Sequence, residues 1–228
     1  MVRHTDREYE GELRALNDRI LKMAGRVEAM VAQAARALAE RDAEQARATI
    51  LLDDTVNSDE VEIDEMCQSI LARRQPLAGD LRFIACALKM VTDLERVGDI
   101  AVNLCERAIE LAREPALSPV VGLGQMAALV QEMLKDVMDA FNARAPDRAR
   151  AVVRRDDLVD ELYHGVLREV LARMSQDASA LQRGIHTLAV AKFLERIGDH
   201  ATNLAEEVVF LVEGKDIRHV GKRAGKTV

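Results

Sequence analysis

The sequence predicts an all-α protein: two pseudo-symmetric three-helix bundles, six long antiparallel helices in all. Three observations carry that prediction. Ala, Leu, Glu and Arg dominate a chain with 3 % aromatic residues, 12 Gly and 4 Pro, so helix formers are plentiful and helix breakers few. Apolar residues recur at steps of three and four, the signature of helices that pack on other helices. A block of polar as well as apolar letters recurs 100 residues on.

The first helix opens on Thr5-Asp6-Arg7-Glu8, a capping-box pattern. Leu13, Leu16, Ile20, Met23, Val27, Met30, Ala34 and Ala37 then form one stripe. A second helix is expected from Ala43 to Arg74, ending at Gln75-Pro76 because proline lacks the amide and clashes with the preceding turn. The third runs from Asp80 to Arg113. Glu114 to Gly124 holds two prolines and two glycines and reads as the linker. Helix four is expected over Gln125 to Arg144, helix five over Asp147 to Ser175. Ser179-x-x-Gln182 reads as the cap of helix six, which reaches Glu213. The expected units are 1–114 and 123–214, followed by a C-terminal tail, 215–228.

With 49 % hydrophobic and 31 % charged residues, the 228-residue chain can fill a packed core and does not read as disordered. A net charge of −7 argues against nucleic acid as a partner; the one basic run, Lys215 to Lys226, reads as a solvated end. There is no apolar run long enough for a membrane span and no signal-peptide pattern, so direct membrane insertion is not expected and a cytoplasmic location is. Cys67, Cys86 and Cys105 form no CxxC pair. On one helix Cys86 and Cys105 lie about 28 Å apart, so the three read as buried thiols in a reducing compartment.

The repeat is the most informative feature. Asp93-Leu94-Glu95-Arg96-Val97-Gly98-Asp99 matches Phe193-Leu194-Glu195-Arg196-Ile197-Gly198-Asp199 in five of seven positions. Asn103-Leu104 recurs as Asn203-Leu204, and Leu71-Ala72-Arg73 as Leu171-Ala172-Arg173, all offset by 100. Asp53-x-x-Val56-Asn57 recurs as Asp156-x-x-Val159-Asp160, offset by 103. Packing alone would preserve only the apolar positions.

At about 100° per residue, the apolar stripes of helices three and six are centred opposite Glu95/Asp99 and Glu195/Asp199. Like charges at i, i+4 repel by a few tenths of a kcal/mol unless a cation sits between them. Asp156/Asp160 is a further pair and Asp53/Asn57 a weaker one. In a three-helix unit these residues can face one another as oxygen ligands, a set that suits Mg, Mn, Ca or iron ions. They read equally as solvated acidic faces. Arg96 and Arg196 either pair with neighbouring acids or orient the carboxylates around a metal. Gly98 and Gly198 cost about 1 kcal/mol each inside a helix, and their recurrence points to close helix–helix approach. His200, beside Asp199, reads as a surface histidine that could also join a metal site. Glu161-x-x-His164 is a lone ExxH where a di-iron bundle needs two, and no phosphate loop or nucleophile elbow is present.

These segments, with Ile63 to Cys67, Arg74 to Arg82 and Lys215 to Val220, resemble the PhoU family, accessory and regulatory proteins of bacterial phosphate-specific transport. The resemblance runs from about Glu12 to Gly221. It implies twin three-helix bundles and metal ions (Mg, Mn, Fe or Zn) held at Glu95/Asp99, Asp156/Asp160 and Glu195/Asp199. Asn57, an amide, departs from that pattern and is expected to weaken the site at Asp53. It further implies a non-enzymatic negative regulator of phosphate uptake and phosphate-starvation signalling, often a homodimer. Its partners would be the ATPase subunit of the phosphate ABC transporter and a sensor histidine kinase. A metal-dependent helical-bundle enzyme and a ligand-free scaffold are the competing readings.

Overall fold

The computed structural model describes residues 3–115 and 120–218, with the side chains of residues 3–6 left out of the description. Among the described residues there are eight α-helices and no strand: α1 (Arg3–Glu40), α2 (Ala43–Ile50), α3 (Asp53–Arg73), α4 (Ala78–Ala112), α5 (Val121–Asn142), α6 (Pro146–Val153), α7 (Asp156–Gln176) and α8 (Leu181–Glu213). Six are long and two are single short rods. α1, α2–α3 and α4 form one bundle; α5, α6–α7 and α8 form the other; the two join mainly along α4 and α8. The stripe expected on helix one is buried from Leu16 to Ala37, and the buried apolar residues of both bundles form one continuous core.

Helices two and five of the sequence reading are each jointed. The breaks fall at Leu51-Leu52 and Arg154-Arg155, 103 residues apart, at equivalent places in the two copies. Neither contains Pro or Gly. The chain stays near helical angles at Leu52 and Arg155. It tightens into three-residue turns there: Leu52 N–H donates to Thr49 O at 3.0 Å and Arg155 N–H to Val152 O at 2.9 Å. A short α2 persists because the Asp42 side chain accepts from the amides of Glu44 and Gln45 at its start.

Other boundaries move too. α1 begins at Arg3, so Thr5 lies within the helix rather than ahead of it, and the side chains of the expected capping box at Thr5 and Asp6 lie outside the described ones. α5 begins at Val121, four residues before Gln125. Asp177, not Ser179, closes the start of the last helix: it accepts from Ser179 N–H at 2.8 Å and opens a 3₁₀ turn, Ala178–Ala180, that leads into α8. Part of the linker (116–119) and of the tail, including His219 and Val220, lies outside the described residues. α3 ends at Arg73, ahead of Gln75-Pro76 as expected.

The repeat is structural, with one exception. Val56, Ile63 and Cys67 of α3 occupy the buried positions of Val159, Val166 and Val170 in α7, a constant offset of 103. In that register the counterpart of Leu71 is Met174, so the second Leu-Ala-Arg matches in letters but not in place. At the corners before α2 and α6, Arg41 (φ 59°) and Arg144 (φ 52°) both adopt left-handed backbone. Arg41 donates to the carbonyls of Leu111 and Glu114, capping α4. Arg144 stacks over Phe83 at 4.9 Å and Phe141 at 5.6 Å.

The seam between the bundles fixes their relation. Arg82 Nε donates to Leu211 O at 2.9 Å, and Lys89 pairs with Glu207 at 2.9 Å. Asp93 meets His200 at 2.7 Å, and His186 lies 3.0 Å from Glu110. Low numbers on α4 meet high numbers on α8, so the two helices are antiparallel and the Leu-Glu-Arg-x-Gly-Asp blocks cross near mid-length. All three cysteines are free and buried, and burial pushes their thiols up to about 12, 12 and 11 for Cys67, Cys86 and Cys105.

The first bundle also buries an ion cluster. Asp59 is 1 % exposed and pairs with Arg26 and, at 3.3 Å, with Arg19. Removing a carboxylate from such a cluster leaves charge uncompensated. Asp59→Ala is therefore expected to lower the unfolding free energy by about 3 kcal/mol, read as a shift in urea midpoint at unchanged slope.

Candidate functional site

The carboxylates that recur in sequence are brought together by glycine. At Gly98 a Cβ would meet Val56 Cγ1 at 3.3 Å and Asp53 Oδ1 at 3.5 Å; at Gly198 it would meet Val159 Cγ1 at 3.3 Å. Each glycine lets α3 or α7 lie tightly against α4 or α8. The first acidic residue of the outer helix then comes within electrostatic reach of the second acid of the repeated motif on the inner one, Asp53 with Asp99 and Asp156 with Asp199.

In the first bundle Asn57 Nδ2 donates to Asp53 Oδ2 at 3.0 Å, leaving Asp53 Oδ1 and Asn57 Oδ1 buried without a donor. Glu95 and Asp99 flank Arg96, whose Nη1 donates to Asp99 at 3.1 Å and whose Nε lies 3.4 Å from Glu95 Oε2. Arg96 therefore pairs with both acids of its own motif. Two carboxylates that the sequence reading passed over, Glu60 and Asp64, join this cluster: Glu60 interacts with Asp64, Arg96 and Asp99, and Glu95 feels Glu60. They follow Asn57 at +3 and +7 on the same helix face, a legible signal. Their counterparts are Tyr163 and Leu167, so a search for repeated acids misses them. Glu60 thus restores the carboxylate that Asn57 withholds.

In the second bundle Asp156, Asp160, Glu195 and Asp199 assemble without those additions. Thr202 Oγ1 donates to Asp156 at 3.3 Å. The cation here is Lys192, which donates to Glu195 Oε1 at 2.6 Å. It lies equally near Oε2, but off the line of a hydrogen bond. Arg196, expected in that role, is exposed and makes no ion pair to a described residue. Its helical position points it away, whereas Lys192 sits one turn before Glu195. His200 is neither a surface histidine nor turned to the acids: its Nδ1 lies 2.7 Å from Asp93 across the seam, where Asn203 also donates at 3.3 Å. Glu161 and His164 are exposed, as expected of a lone ExxH.

Both clusters carry excess negative charge. Burial, and next the charge of Asp99, raise Glu95 above the usual carboxylate range. Burial chiefly raises Asp53, opposed by the Asn57 hydrogen bond. Burial followed by Asp199 raises Asp156; burial followed by Glu195 raises Asp199. Among the described residues no three His, Cys, Asp or Glu side chains are grouped so that they could hold a metal ion as they stand. The donor chemistry nonetheless fits a hard cation: oxygen only, net negative, with the buried oxygens of Asp53, Asn57 and Glu95 lacking donors.

The fold and site define a class: twin three-helix bundles with an acidic cluster at the waist of each, and among the described residues no helix long and apolar enough to cross a membrane. The PhoU domain model matches residues 20–108 and again 123–208. The chain belongs to the PhoU family. It is 40 % identical to the phosphate-specific transport system accessory protein PhoU homolog of Pseudomonas aeruginosa, over 97 % of this chain and 92 % of that one. It is 35 % identical to the phosphate-specific transport system accessory protein PhoU of Escherichia coli K12, over 96 % and 91 %. The crystal structure of Pseudomonas aeruginosa PhoU superposes with a TM-score of 0.88 at 41 % identity, covering 91 % of this chain and all of that one. The Streptococcus pneumoniae phosphate transport system regulatory protein PhoU gives 0.86 at 27 %, covering 92 % and 99 %.

A carboxyl whose folded pKa lies above its unfolded value, 3.8 for Asp and 4.5 for Glu, contributes stability below the unfolded value. That contribution is lost as pH rises through the folded one. At pH 7 the clusters therefore work against the fold until a cation neutralises them. Mg²⁺ or Mn²⁺ at about 100 times its dissociation constant is expected to add about 2.7 kcal/mol per site. This corresponds to about 5–10 °C in melting temperature at pH 7, shrinking towards zero near pH 4; differential scanning calorimetry at the two pH values checks it.

Proposed function

We propose that this chain is a cytoplasmic, non-enzymatic regulator of phosphate homeostasis. It restrains phosphate uptake and phosphate-starvation signalling, linking the ATPase subunit of the phosphate ABC transporter to the sensor histidine kinase. The observation that carries this reading is end-to-end similarity to proteins named as accessory or regulatory components of phosphate transport. Support for a role without catalysis comes from the reactive groups present. The thiols are held protonated by burial. His186 and His200 are engaged in the seam.

Asp53, Asn57, Glu60, Glu95 and Asp99 would hold a metal ion in the first bundle, and Asp156, Asp160, Glu195 and Asp199 in the second. Mg, Mn, Fe and Zn are the candidate ions, of which the hard ones suit the all-oxygen donors best. When bound, the ion supplies positive charge between carboxylates that otherwise repel. The residues themselves tie α3 to α4 and α7 to α8, stiffening the waist on which partners would dock.

Deleting the gene in its own bacterium is expected to raise phosphate-starvation gene expression severalfold in phosphate-rich medium, with transcript quantification as the measure. Expression equal to the parent strain would count against the regulatory role.

A further inference from the structure

We propose that the cleft between the end of α1 and the start of α5 binds a free fatty acid, with an apolar slot for the chain and arginine for the carboxylate. The cleft encloses about 730 Å³, within the roughly 300–1,000 Å³ of small-molecule sites. Its walls are Ala32, Ala35 and Leu38 of α1, Leu111 of α4, and Leu123 and Ala127 of α5. Arg36, Arg41 and Arg183 are the charged residues of the described lining, which includes no Asp or Glu. It includes no aromatic ring either, so nothing there stacks on a base or another planar ligand.

The repeat shows that this space is not a by-product of the architecture. α5 follows α1 at an offset of 103: Met23, Val27, Met30 and Ala37 are buried, as are Met126, Val130, Met133 and Ala140. α8 follows α4 at an offset of 100. Exchanging the bundles therefore carries the cleft to the other end of the α1–α5 contact. There Met138, Phe141 and Leu21 stand in the places of Ala35, Leu38 and Gly124, and Phe83 in that of Arg183. Met138 and Phe141 are buried, and Phe83 and Phe141 stack at 6.4 Å. A smaller cleft of about 510 Å³ remains beside them, with Asp18 and Asp80 in its lining as well as Arg14 and Arg144. Asp139 takes the place of Arg36 and Glu28 that of Gln131, and the two acids interact. Large residues and acids thus occupy one copy of the site, while small residues open the other and arginines line it.

The side-chain donors of the walls are spent on the helices themselves. Gln131 Nε2 donates to Ala127 O at 2.7 Å, and Thr187 Oγ1 to Arg183 O at 2.8 Å. Arg183 donates to the carbonyls of Pro115 and Ser179 and lies 3.9 Å from Glu114. Arg41 spends Nη2 on the carbonyls of Leu111 and Glu114. Arg36 is exposed and makes no ion pair with a described residue. A guanidinium free to fork onto a carboxylate, beside walls that offer only apolar contact, fits a ligand with one anionic head and an alkyl body. The net charge of −7 disfavours an anionic bilayer as the source of that ligand, so the acid is taken from solution. Nothing here depends on the regulatory reading.

Isothermal titration calorimetry of laurate into the full chain at pH 7 tests the proposal, with circular dichroism confirming the fold of each variant. The parent is expected to bind a single laurate. Acetate, the head without the chain, and dodecyltrimethylammonium, the chain with its charge reversed, are expected not to displace it. Gly124 has nothing within 4 Å of where a Cβ would stand. Gly124→Leu, which copies Leu21, is therefore expected to fill the slot and abolish binding. Ala35→Met, which copies Met138, is expected to do the same from the other wall. Arg36→Gln is expected to weaken binding about tenfold. Mixed with phosphatidylglycerol vesicles and centrifuged, the chain is expected to stay in the supernatant. A parent that does not bind laurate, or Gly124→Leu and Ala35→Met chains that bind it like the parent, would overturn the proposal. So would an Arg36→Gln chain of unchanged affinity, displacement by dodecyltrimethylammonium, or pelleting with the vesicles that Gly124→Leu abolishes.

Discussion

Where α3 crosses α4, Gly98 presents a hydrogen in place of a side chain and Val56 fills the space; Gly198 and Val159 do the same where α7 crosses α8. The rest of the waist depends on those two contacts. A methyl at either glycine would stand 3.3 Å from a valine already fixed in the core, tighter than ordinary van der Waals contact. Tight approach puts Asp53 beside Asp99 and Asp156 beside Asp199. Burial of Asp53, Asp156 and Asp199 raises their proton affinity, and repulsion by neighbouring carboxylates adds to it. The structural cost of glycine in mid-helix and the electrostatic cost of gathered acids thus arise at one place, twice. Such paired costs are expected where a site is kept for a ligand rather than for stability.

The two copies have diverged around this shared waist. The first cluster gains Glu60 and Asp64, while the second has Tyr163 and Leu167 in their places and Lys192 against Glu195. An ammonium and a metal ion compete for the same carboxylate oxygens. Each cluster thus carries one cation of its own, Arg96 in the first and Lys192 in the second. The outer flanks diverge in the same way: a buried Asp59 clamp in one bundle, an open groove beside Gly122 and Gly165 in the other. One architecture, held by the antiparallel seam of α4 and α8, carries two chemically distinct sides.

Much of this is legible in the sequence, and what is not has identifiable causes. The helices, the bundle count and the Gly-mediated approach follow from periodicity and from polar letters that recur. The joints at Leu51-Leu52 and Arg154-Arg155 leave no mark, because a single tightened turn needs neither Pro nor Gly. Glu60, Asp64 and Lys192 escape because each lies in one copy alone, so agreement between copies hides them. Arg196 and His200 mislead for the complementary reason. Adjacency in sequence placed them beside the acids, whereas 100° per residue turns one to solvent and the other across the seam to Asp93. The second Leu-Ala-Arg shows that matching letters can fall out of register within a helix.

Carboxyl carbon NMR of the metal-free chain, titrated with acid and then with Mg²⁺, tests the gathered, uncompensated charge most directly. Asp53, Glu95, Asp156 and Asp199 should take up protons at higher pH than free Asp and Glu, and their midpoints should fall once Mg²⁺ is present. Midpoints at ordinary carboxylate values, unmoved by the ion, would mean that the acids are merely solvated neighbours and that neither waist is built to hold a cation.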